Sequence, residues 1–462
     1  MSPERPNTIL ITADSLRADR LGVYGYHKPT TPSLDRFAAG SFLFRRAFTN
    51  GPNTPHAFPA ILAARSALLS RKLGMFEVPV ALAEILKESG YLTLAFNAAN
   101  PYVSRFFHYD RGFDEFRDYL DFDLGASVSE SQTDPSSYYS ASESAIITIP
   151  GLDVERYLVT EASIKSKAQL EGQINFDIFE ALQRVGERPF FLWIHYMDTH
   201  YPYLPQVGPQ VELGMQPIPR EENLGLNMRV RENMHLSEEM LHRVSSLYDA
   251  AIRQLDSKVG ALLDFLKQLG LYDSAQIIFT ADHGEEFAEH GDLQHKSKLY
   301  DELLHVPLLV KQPGQRRGET RQELVSLLQI APTILSTLGL ESPFMRPAVF
   351  EPEVGREICA AASFGPNGVV PVDANMFRID RMPKVYGCRS SKWKLVFDTL
   401  QQRYLLFNLL ADPNEKQDVY EAEKRRIAEL QRKLDEYIVQ LEKRRVRLEI
   451  ERARPMFHFS QT

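Results

Sequence analysis

Two stretches of the chain place acidic and imidazole side chains just after apolar runs. Asp14 follows the run 7–12, and Asp282 and His283 follow the run 276–279. Apolar runs of this length with β-branched centres predict buried parallel strands. Such strands end at one edge of an open α/β sheet, where ligands bind. An aspartate after a strand can also be a helix cap, but two carboxylates and an imidazole at one edge predict a divalent-cation site.

The same stretches carry a family resemblance that continues in order through most of the chain. Asp282-His283-Gly284, the loop Asp198-Thr199-His200 and the opening segment around Asp14 are similar to the sulfatase branch of the alkaline phosphatase superfamily. The resemblance implies an alkaline-phosphatase-like α/β sandwich, with a large mixed, mainly parallel sheet flanked by helices and a small C-terminal antiparallel sheet. The resembling segments, in chain order, are 7–26, 29–38, 190–203, 282–308, 329–335 and 407–415.

Relatives in this family place a nucleophile at the start of a helix after the opening strand, and the matching stretch here is 53–62. Aligning residues 60–62 with the family's small-apolar-apolar run puts Thr54 at the nucleophile position. A register anchored on Pro55 would put Asn53 there. Thr54 is preferred because a hydroxyl beside a cation can act as an alkoxide nucleophile and a helix N-terminus favours anions. The competing explanation of Thr54 is an N-cap ahead of Pro55.

The identity of this side chain bears on the substrate. Sulfatases that the chain resembles make their nucleophile by oxidising a Cys or Ser and carry an Arg four positions later. Thr54 cannot be converted to the aldehyde hydrate, and Phe58 stands in place of the Arg. Hydrolysis of phosphate or phosphonate esters is therefore predicted, with transfer to an acceptor alcohol also open. The alternatives are a sulfuric ester hydrolase and a non-catalytic anion-binding relative, the latter because Ala63-Ala64 replace the usual Thr-Gly.

The resemblance also implies how a metal is held. One divalent ion, which could be Mn, Ca, Mg or Zn, is expected between Asp14, Asp282, His283 and the Thr54 oxygen. Relatives with two zinc ions need a His four residues after an Asp, whereas Asp198 is followed at that spacing by a proline. A second ion is therefore not favoured. The residues that could rearrange around one are His195, Asp198, His200 and His295.

Further site residues follow from the family positions. His200 is predicted to contact the leaving oxygen or to act as general acid. Lys296 is predicted to donate to a non-bridging oxygen. His195 is more simply a hydrogen-bonded structural residue. Substrate contacts are predicted for Asn97, His290 and His295.

Composition limits the remaining choices. The chain has 462 residues, 44% of them hydrophobic, which is enough for one large α/β domain and a smaller appendage. The predicted units are a catalytic domain 1–340, a subdomain 341–419, and a charged helix and tail 420–462. A formal net charge of −8 gives no basic field for nucleic acid. The expected partner is a small anionic ester.

Cysteine use and hydropathy predict a compartment. The two cysteines, Cys359 and Cys388, form no disulfide framework and are predicted to be reduced core thiols. The first residues hold no apolar signal segment, and no run reaches the length of a membrane helix. The sequence therefore predicts a cytoplasmic protein.

Coarse patterning places the other elements. Polar stretches at 120–150 and 206–236 are predicted insertions beside the site, where substrate selectivity could lie. Residues 237–269 predict a helix, 306–311 a strand, and 385–398 with 404–408 an antiparallel hairpin. The apolar spacing of 420–452 predicts a helix lying on the body. A dimerisation arm, and so a homo-oligomer, is the alternative.

Overall fold

The computed structural model describes residues 5–120, 172–232, 234, 236–344, 346–351, 357–363 and 379–453. The strands are β1 (Thr8–Ala13), β2 (Phe42–Phe48), β3 (Leu92–Asn97), β4 (Glu115–Arg117), β5 (Phe190–Tyr196), β6 (Gln276–Ala281), β7 (Glu286–Phe287), β8 (Leu293–Gln294), β9 (His305–Val306), β10 (Leu308–Lys311), β11 (Glu319–Ser326), β12 (Ile358–Ser363), β13 (Lys384–Arg389), β14 (Trp393–Asp398) and β15 (Arg403–Asn408).

The helices lie between and around these strands. They are α1 (Pro32–Ala38), α2 (Thr54–Ala63), α3 (Leu82–Glu88), α4 (Gln173–Arg184), α5 (Val207–Glu212), α6 (Arg220–Arg231), α7 (Glu238–Gln268), α8 (Asp301–Leu304), α9 (Ile330–Thr337), α10 (Tyr420–Glu423) and α11 (Ala428–Ala453).

The described residues form a large mixed sheet of nine strands in the order β11-β2-β10-β6-β1-β5-β3-β4, with β9 paired to β2. Its centre is parallel, because β1 pairs in parallel with both β5 and β6. β10 runs antiparallel to β6 and β2. A second, antiparallel sheet has the order β12-β13-β14-β15. The predicted fold class is confirmed.

Burial explains why the central strands read as continuous apolar runs. Every residue of β1, β5 and β6 is buried, as expected for strands covered by helices on both faces. The long helix α7 is amphipathic and begins at Ser237, whose Oγ accepts the backbone N–H of Met240 at 3.2 Å. The hydroxyl of its buried Tyr248 hydrogen-bonds the loop after β1, so α7 supports the edge of the sheet where the parallel strands end.

The small sheet is attached through a buried ionic network. Asp301, at the start of α8, pairs with Arg389 at 2.9 Å and with Lys394 at 2.6 Å. Lys394 also lies 2.6 Å from Glu415. Although burial acts in the opposite direction, Arg389 and Lys394 hold the pKa of Asp301 below its usual range. Two of the family segments, 299–308 and 407–415, therefore meet here and join the small sheet to the large one.

The C-terminal segment lies on the small sheet, as predicted, but it forms two helices, α10 and α11, rather than one. Ile427, Leu430, Leu434 and Leu441 are buried in one cluster with Leu395 and Leu406 of the sheet strands. The homo-oligomer stays a prediction. Cys359 and Cys388 face each other across β12 and β13 as free thiols. Among the described residues, no helix is long and apolar enough to cross a membrane.

Some elements differ from the sequence predictions. The predicted strand 306–311 is split at Pro307 into β9 and β10, which pair with different strands. The predicted hairpin is part of a four-stranded sheet, since β12 adds to it. The polar stretch 206–236 contains the helices α5 and α6. Apart from its first residue, the predicted insertion 120–150 lies outside the described residues.

Candidate active site

Strand register brings the two predicted carboxylates together. Ala13, the last residue of β1, pairs with Ala281 of β6 and with Tyr196 of β5. The next residues continue this pairing: Asp14 N donates to Tyr196 O at 2.9 Å, and Asp282 N donates to Ala13 O at 3.3 Å. Both aspartates are fully buried. Two negative side chains therefore share one solvent-excluded edge.

A strained turn after β1 fixes their orientation. Ser15 has a φ of 58°, a left-handed conformation that is uncommon for a non-glycine residue. Its backbone N–H donates to Asp282 Oδ1 at 3.2 Å, and its hydroxyl donates to Asp14 Oδ1 at 2.8 Å. The Tyr248 hydroxyl donates to Ser15 O at 2.6 Å and holds the turn in place. The turn thus connects both carboxylates to one backbone segment.

The Asp-His-Gly turn after β6 depends on its glycine. A Cβ on Gly284 would lie 1.9 Å from Glu302 O, so no other residue fits without moving the backbone. His283 Nδ1 lies 2.8 Å from Gly284 O, which fixes the proton on Nδ1. The other nitrogen, Nε2, faces Asp14 Oδ1 at 3.6 Å and Asp282 Oδ2 at 3.5 Å. Burial, followed by the charge of His295, lowers the pKa of His283 to about 4, which keeps its ring neutral.

Thr54 lies at the same edge, as the first residue of α2. Its hydroxyl donates to Asp14 Oδ2 at 3.3 Å and lies 3.2 Å from His283 Nε2. The Asn53 side chain instead lies 2.6 Å from His56 Nδ1. The geometry therefore favours the register that puts Thr54, rather than Asn53, at the nucleophile position. The end of α2 agrees, since Ala64 has a φ of 48° where relatives carry glycine.

The donor set fits a divalent cation. Among the described residues, Asp282 Oδ2 is buried with no hydrogen-bond partner. Burial, and then the charge of Asp14, raises the pKa of Asp282 well above its usual value. Asp14, His195 and Asp282 offer ligand atoms within 4.8 Å of one another. Two buried carboxylates that share one edge need a positive charge between them, and a divalent cation would supply it.

Three histidine rings, those of His200, His283 and His295, lie next to one another at the site. The ring of His295 lies 4.4 Å from that of His283 and 5.1 Å from that of His200. His295 Nδ1 is 3.0 Å from the buried carboxylate of Glu285. Although burial acts in the opposite direction, the charge of Glu285 raises the pKa of His295. A proton donor is thus held beside the predicted metal ligands.

The other predicted contacts lie farther out. Lys296 forms an ion pair with Asp292. His290 Nδ1 is 2.5 Å from Glu302, and its Nε2 is 3.1 Å from Glu415 O. Substrate contacts by Lys296 and His290 stay predictions, and each requires one of these interactions to be exchanged.

Asn97 shapes a loop that the sequence did not identify. Its amide donates to Val103 O at 2.5 Å, and its Oδ1 accepts the backbone N–H of Asn100. Asn100 in turn donates to Asp14 Oδ2 at 2.6 Å. Asn100 follows β3 at the carboxyl edge, but its contact with Asp14 depends on the loop that Asn97 organises, so the sequence alone did not indicate it. A substrate contact by Asn97 stays a prediction.

Phe58 replaces the family's arginine with an apolar wall. It is fully buried, and its ring packs edge-on to His195 with centroids 4.8 Å apart and against Trp193 at 5.5 Å. No guanidinium can occupy this space. His195 itself lies 3.2 Å from Asp14 Oδ2, so its ring borders the carboxylate cluster.

His56 connects α2 to the small sheet and leads to a pH prediction. The buried ring accepts the backbone N–H of Ser363 on Nε2 at 3.1 Å, and burial lowers its pKa to about 4. Below pH 6.5 the unfolded chain takes up a proton that the folded chain does not, so the free energy of unfolding decreases as the pH is lowered. Relative to His56→Gln, the wild type should lose an extra 2 to 3 kcal/mol, roughly, between pH 7 and 4.5. Urea unfolding at the two pH values measures this, and equal losses would contradict it.

Comparison with known proteins places these features in a family. The Sulfatase family model matches residues 6–340, well over half of the chain, which therefore belongs to the sulfatase family. Iduronate 2-sulfatase of Homo sapiens is 24% identical, over 73% of this chain and 70% of its own length. An arylsulfatase of Clostridium perfringens is also 24% identical, over 73% and 76%.

A solved structure shows the same fold. Phosphonate monoester hydrolase of Agrobacterium radiobacter superposes with a TM-score of 0.67 at 18% identity, over 96% of each chain. Sulfatases and phosphonate monoester hydrolases are both members of the alkaline phosphatase superfamily. This chain is accordingly a metal-dependent ester hydrolase.

Proposed function

We propose that the protein hydrolyses phosphate or phosphonate esters through Thr54, with one divalent cation held by Asp14, Asp282 and His283. The position of the Thr54 hydroxyl carries this proposal. It begins a helix, is buried, and lies 3.3 Å from Asp14 Oδ2 and 3.2 Å from His283 Nε2. A hydroxyl among metal-ligating atoms at a helix N-terminus is suited to in-line attack on an anionic group.

The reaction proceeds in two steps. The Thr54 hydroxyl gives up its proton to solvent, and its Oγ1 forms a bond to phosphorus while the bond from phosphorus to the leaving oxygen breaks, which gives a phosphothreonine. The leaving oxygen takes a proton from His200 or His295, and Glu285 favours the protonated form of the latter. Water then adds to phosphorus, returns a proton to the imidazole that protonated the leaving oxygen, and displaces the Thr54 oxygen, which takes up a proton from solvent. When bound, the cation supplies charge that lowers the pKa of the Thr54 hydroxyl and stabilises the attacked group.

Selectivity against sulfate follows from two side chains. Thr54 cannot form the aldehyde hydrate on which the family's sulfatases depend. Phe58 stands where the family's sulfatases carry an arginine, and the rings of Trp193 and His195 pack against it, so no guanidinium is present there to bind a sulfate group. The competing candidate is a sulfuric ester hydrolase, because the two curated relatives named above are sulfatases. Because a phosphonate monoester hydrolase has the same fold, the architecture is equally compatible with hydrolysis of phosphorus esters.

A metal-by-substrate screen tests the proposal. Metal-free protein is supplied in turn with Mn²⁺, Ca²⁺, Mg²⁺ and Zn²⁺ and assayed on aryl phosphate monoester, phosphodiester, phosphonate monoester and sulfate ester. We expect turnover of at least one phosphorus ester, exceeding sulfate turnover by about 10²-fold or more in kcat/KM, a difference of about 3 kcal/mol in transition-state stabilisation.

The opposite outcomes are equally informative. Preference for the sulfate ester would contradict this proposal and identify the protein as a sulfuric ester hydrolase. Binding of phosphate without turnover of any ester, in every metal, would identify an anion-binding relative. Formation of a new ester when an acceptor alcohol is present would show that the phosphothreonine is resolved by transfer as well as by water.

A further inference from the structure

The hydrogen bonds around His195 determine which ring nitrogen carries its proton. Nδ1 lies 3.1 Å from Thr12 Oγ1. Thr12 donates its single hydroxyl proton to Ile194 O at 2.9 Å and accepts the Trp193 indole N–H at 3.1 Å. A hydroxyl has one proton to donate, so its contact with His195 must be accepted from Nδ1–H. In the neutral ring, the lone pair is therefore on Nε2.

That lone pair faces the carboxylate cluster. His195 Nε2 lies 3.2 Å from Asp14 Oδ2, and both lie within 4.8 Å of a ligand oxygen of Asp282. The Asn100 amide approaches Nε2 only to 3.4 Å, while it donates to Asp14 Oδ2 at 2.6 Å. All four side chains are buried. Two acceptor atoms that face each other without a strong donor between them require a cation or an additional proton.

His283 repeats the arrangement on the other oxygen of Asp14. Its Nδ1 is tied to Gly284 O at 2.8 Å, and its Nε2 faces Asp14 Oδ1 at 3.6 Å. Metal-ligating histidines typically anchor one nitrogen on an oxygen and present the other to the ion. A single added proton would satisfy one imidazole–carboxylate pair, but it would leave Asp282 Oδ2 without the partner that it lacks among the described residues. A cation can serve both imidazoles and both carboxylates.

We propose that His195 Nε2 is a further ligand of the divalent cation. The inference rests on the metal set of the proposed function, to which it adds a second imidazole. Two imidazoles with two carboxylates favour Zn²⁺, whereas Ca²⁺ and Mg²⁺ prefer oxygen ligands throughout. The site is thus selective for a transition ion, and His195 is a source of that selectivity.

Metal binding to the metal-free chain tests the assignment without an activity assay. Affinities for Zn²⁺ and Ca²⁺ are measured by calorimetry on the wild type and on His195→Gln. We expect Zn²⁺ affinity to fall by about 10²-fold or more, with Ca²⁺ affinity changed by less than about threefold, because glutamine can offer Ca²⁺ an oxygen. Equal losses for the two ions, or no loss of Zn²⁺ affinity, would overturn the proposal.

Two further variants guard against a folding artefact. Thr12→Val keeps the β-branched shape of the strand residue and the His195 ring, but removes the acceptor that fixes its tautomer, so Zn²⁺ affinity should fall by about 10-fold. His305→Gln is the matched control. Its imidazole is held by Arg45 O at 2.8 Å in another part of the fold, and its loss should leave both affinities unchanged. If His195→Gln does not fold, an unchanged Zn²⁺ affinity in Thr12→Val rejects the proposal.

A spectroscopic count of nitrogens separates this inference from the ester chemistry. Pulsed electron paramagnetic resonance of the Mn²⁺-loaded wild type should show two coupled imidazole nitrogens, and His195→Gln should show one. One nitrogen in the wild type would reject the His195 assignment, whatever ester the protein prefers. Two nitrogens combined with sulfate preference would retain the metal site and reject the proposed substrate.

Discussion

Thr54→Ala is expected to lower kcat/KM for the preferred ester by about 10³-fold or more, at least about 4 kcal/mol of transition-state stabilisation. The reason is that the variant retains the metal-ligating carboxylates but lacks the oxygen that forms the bond to phosphorus. The lost contacts are those to Asp14 Oδ2 and His283 Nε2. Steady-state kinetics with the best metal and ester from the screen give the measurement.

Thr54→Ser is the matched control, because it keeps the hydroxyl and removes only a methyl group. It should retain activity within about 10-fold of the wild type, since the attacking hydroxyl is kept and only its positioning changes. Rapid quenching of the wild type with a phosphorus ester, followed by peptide mass analysis, should place the phosphoryl or phosphonyl group on Thr54. Full activity in Thr54→Ala would transfer the nucleophile role to another group.

A site residue could be predicted from the sequence when its position follows from the residues next to it in the chain. Asp14, Asp282 and His283 were predictable because each directly follows a strand whose carboxyl end must lie at the ligand-binding edge. The prediction of their proximity needed only parallel pairing, which the register through Ala13 confirms. Position along a strand is therefore well encoded in an apolar run.

The function of His195 was harder to read from sequence. It lies inside a strand, where alternation predicts a buried side chain but not its contacts. Its importance comes from Thr12, on a different strand and 183 residues away, and from Phe58, which packs on its ring. Asn100 was missed for a similar reason, since its approach to Asp14 depends on a loop folded by Asn97. Long-range hydrogen bonds of this kind leave no periodic trace in one sequence.

The outer residues show what a family position leaves undetermined. Lys296 and His290 occupy family positions, yet the ion pair with Asp292 and the contacts of His290 with Glu302 and Glu415 O hold them in local networks. Matching a position identifies the residue type and its place in the chain, whereas the chemistry depends on what the side chain already binds. Asp301 and Glu415, also in family segments, join the two sheets through Lys394.

Asp282→Asn should act in opposite directions on the metal-free and the metal-bound protein. In the metal-free chain, Asp282 is buried beside Asp14, which raises its pKa and disfavours the carboxylate. Removing its charge should therefore raise the free energy of unfolding at pH 7 by at least about 1 kcal/mol. The amide offers the cation a weaker ligand, so metal affinity should fall by about 10²-fold or more, with loss of turnover.

Thermal unfolding with and without Zn²⁺ or Mn²⁺ measures both effects in one series. The wild type should gain stability on metal addition, since a ligand that binds only the folded state stabilises it by mass action. Asp282→Asn should unfold at a higher temperature than the wild type without metal, and metal should raise its unfolding temperature only slightly. Asp256→Asn is the control, a buried aspartate that accepts the backbone N–H groups of Ser33 and Leu34, and it should keep the full metal-dependent gain. A metal-free Asp282→Asn less stable than the wild type would contradict the destabilising effect assigned to burying this carboxyl group beside Asp14.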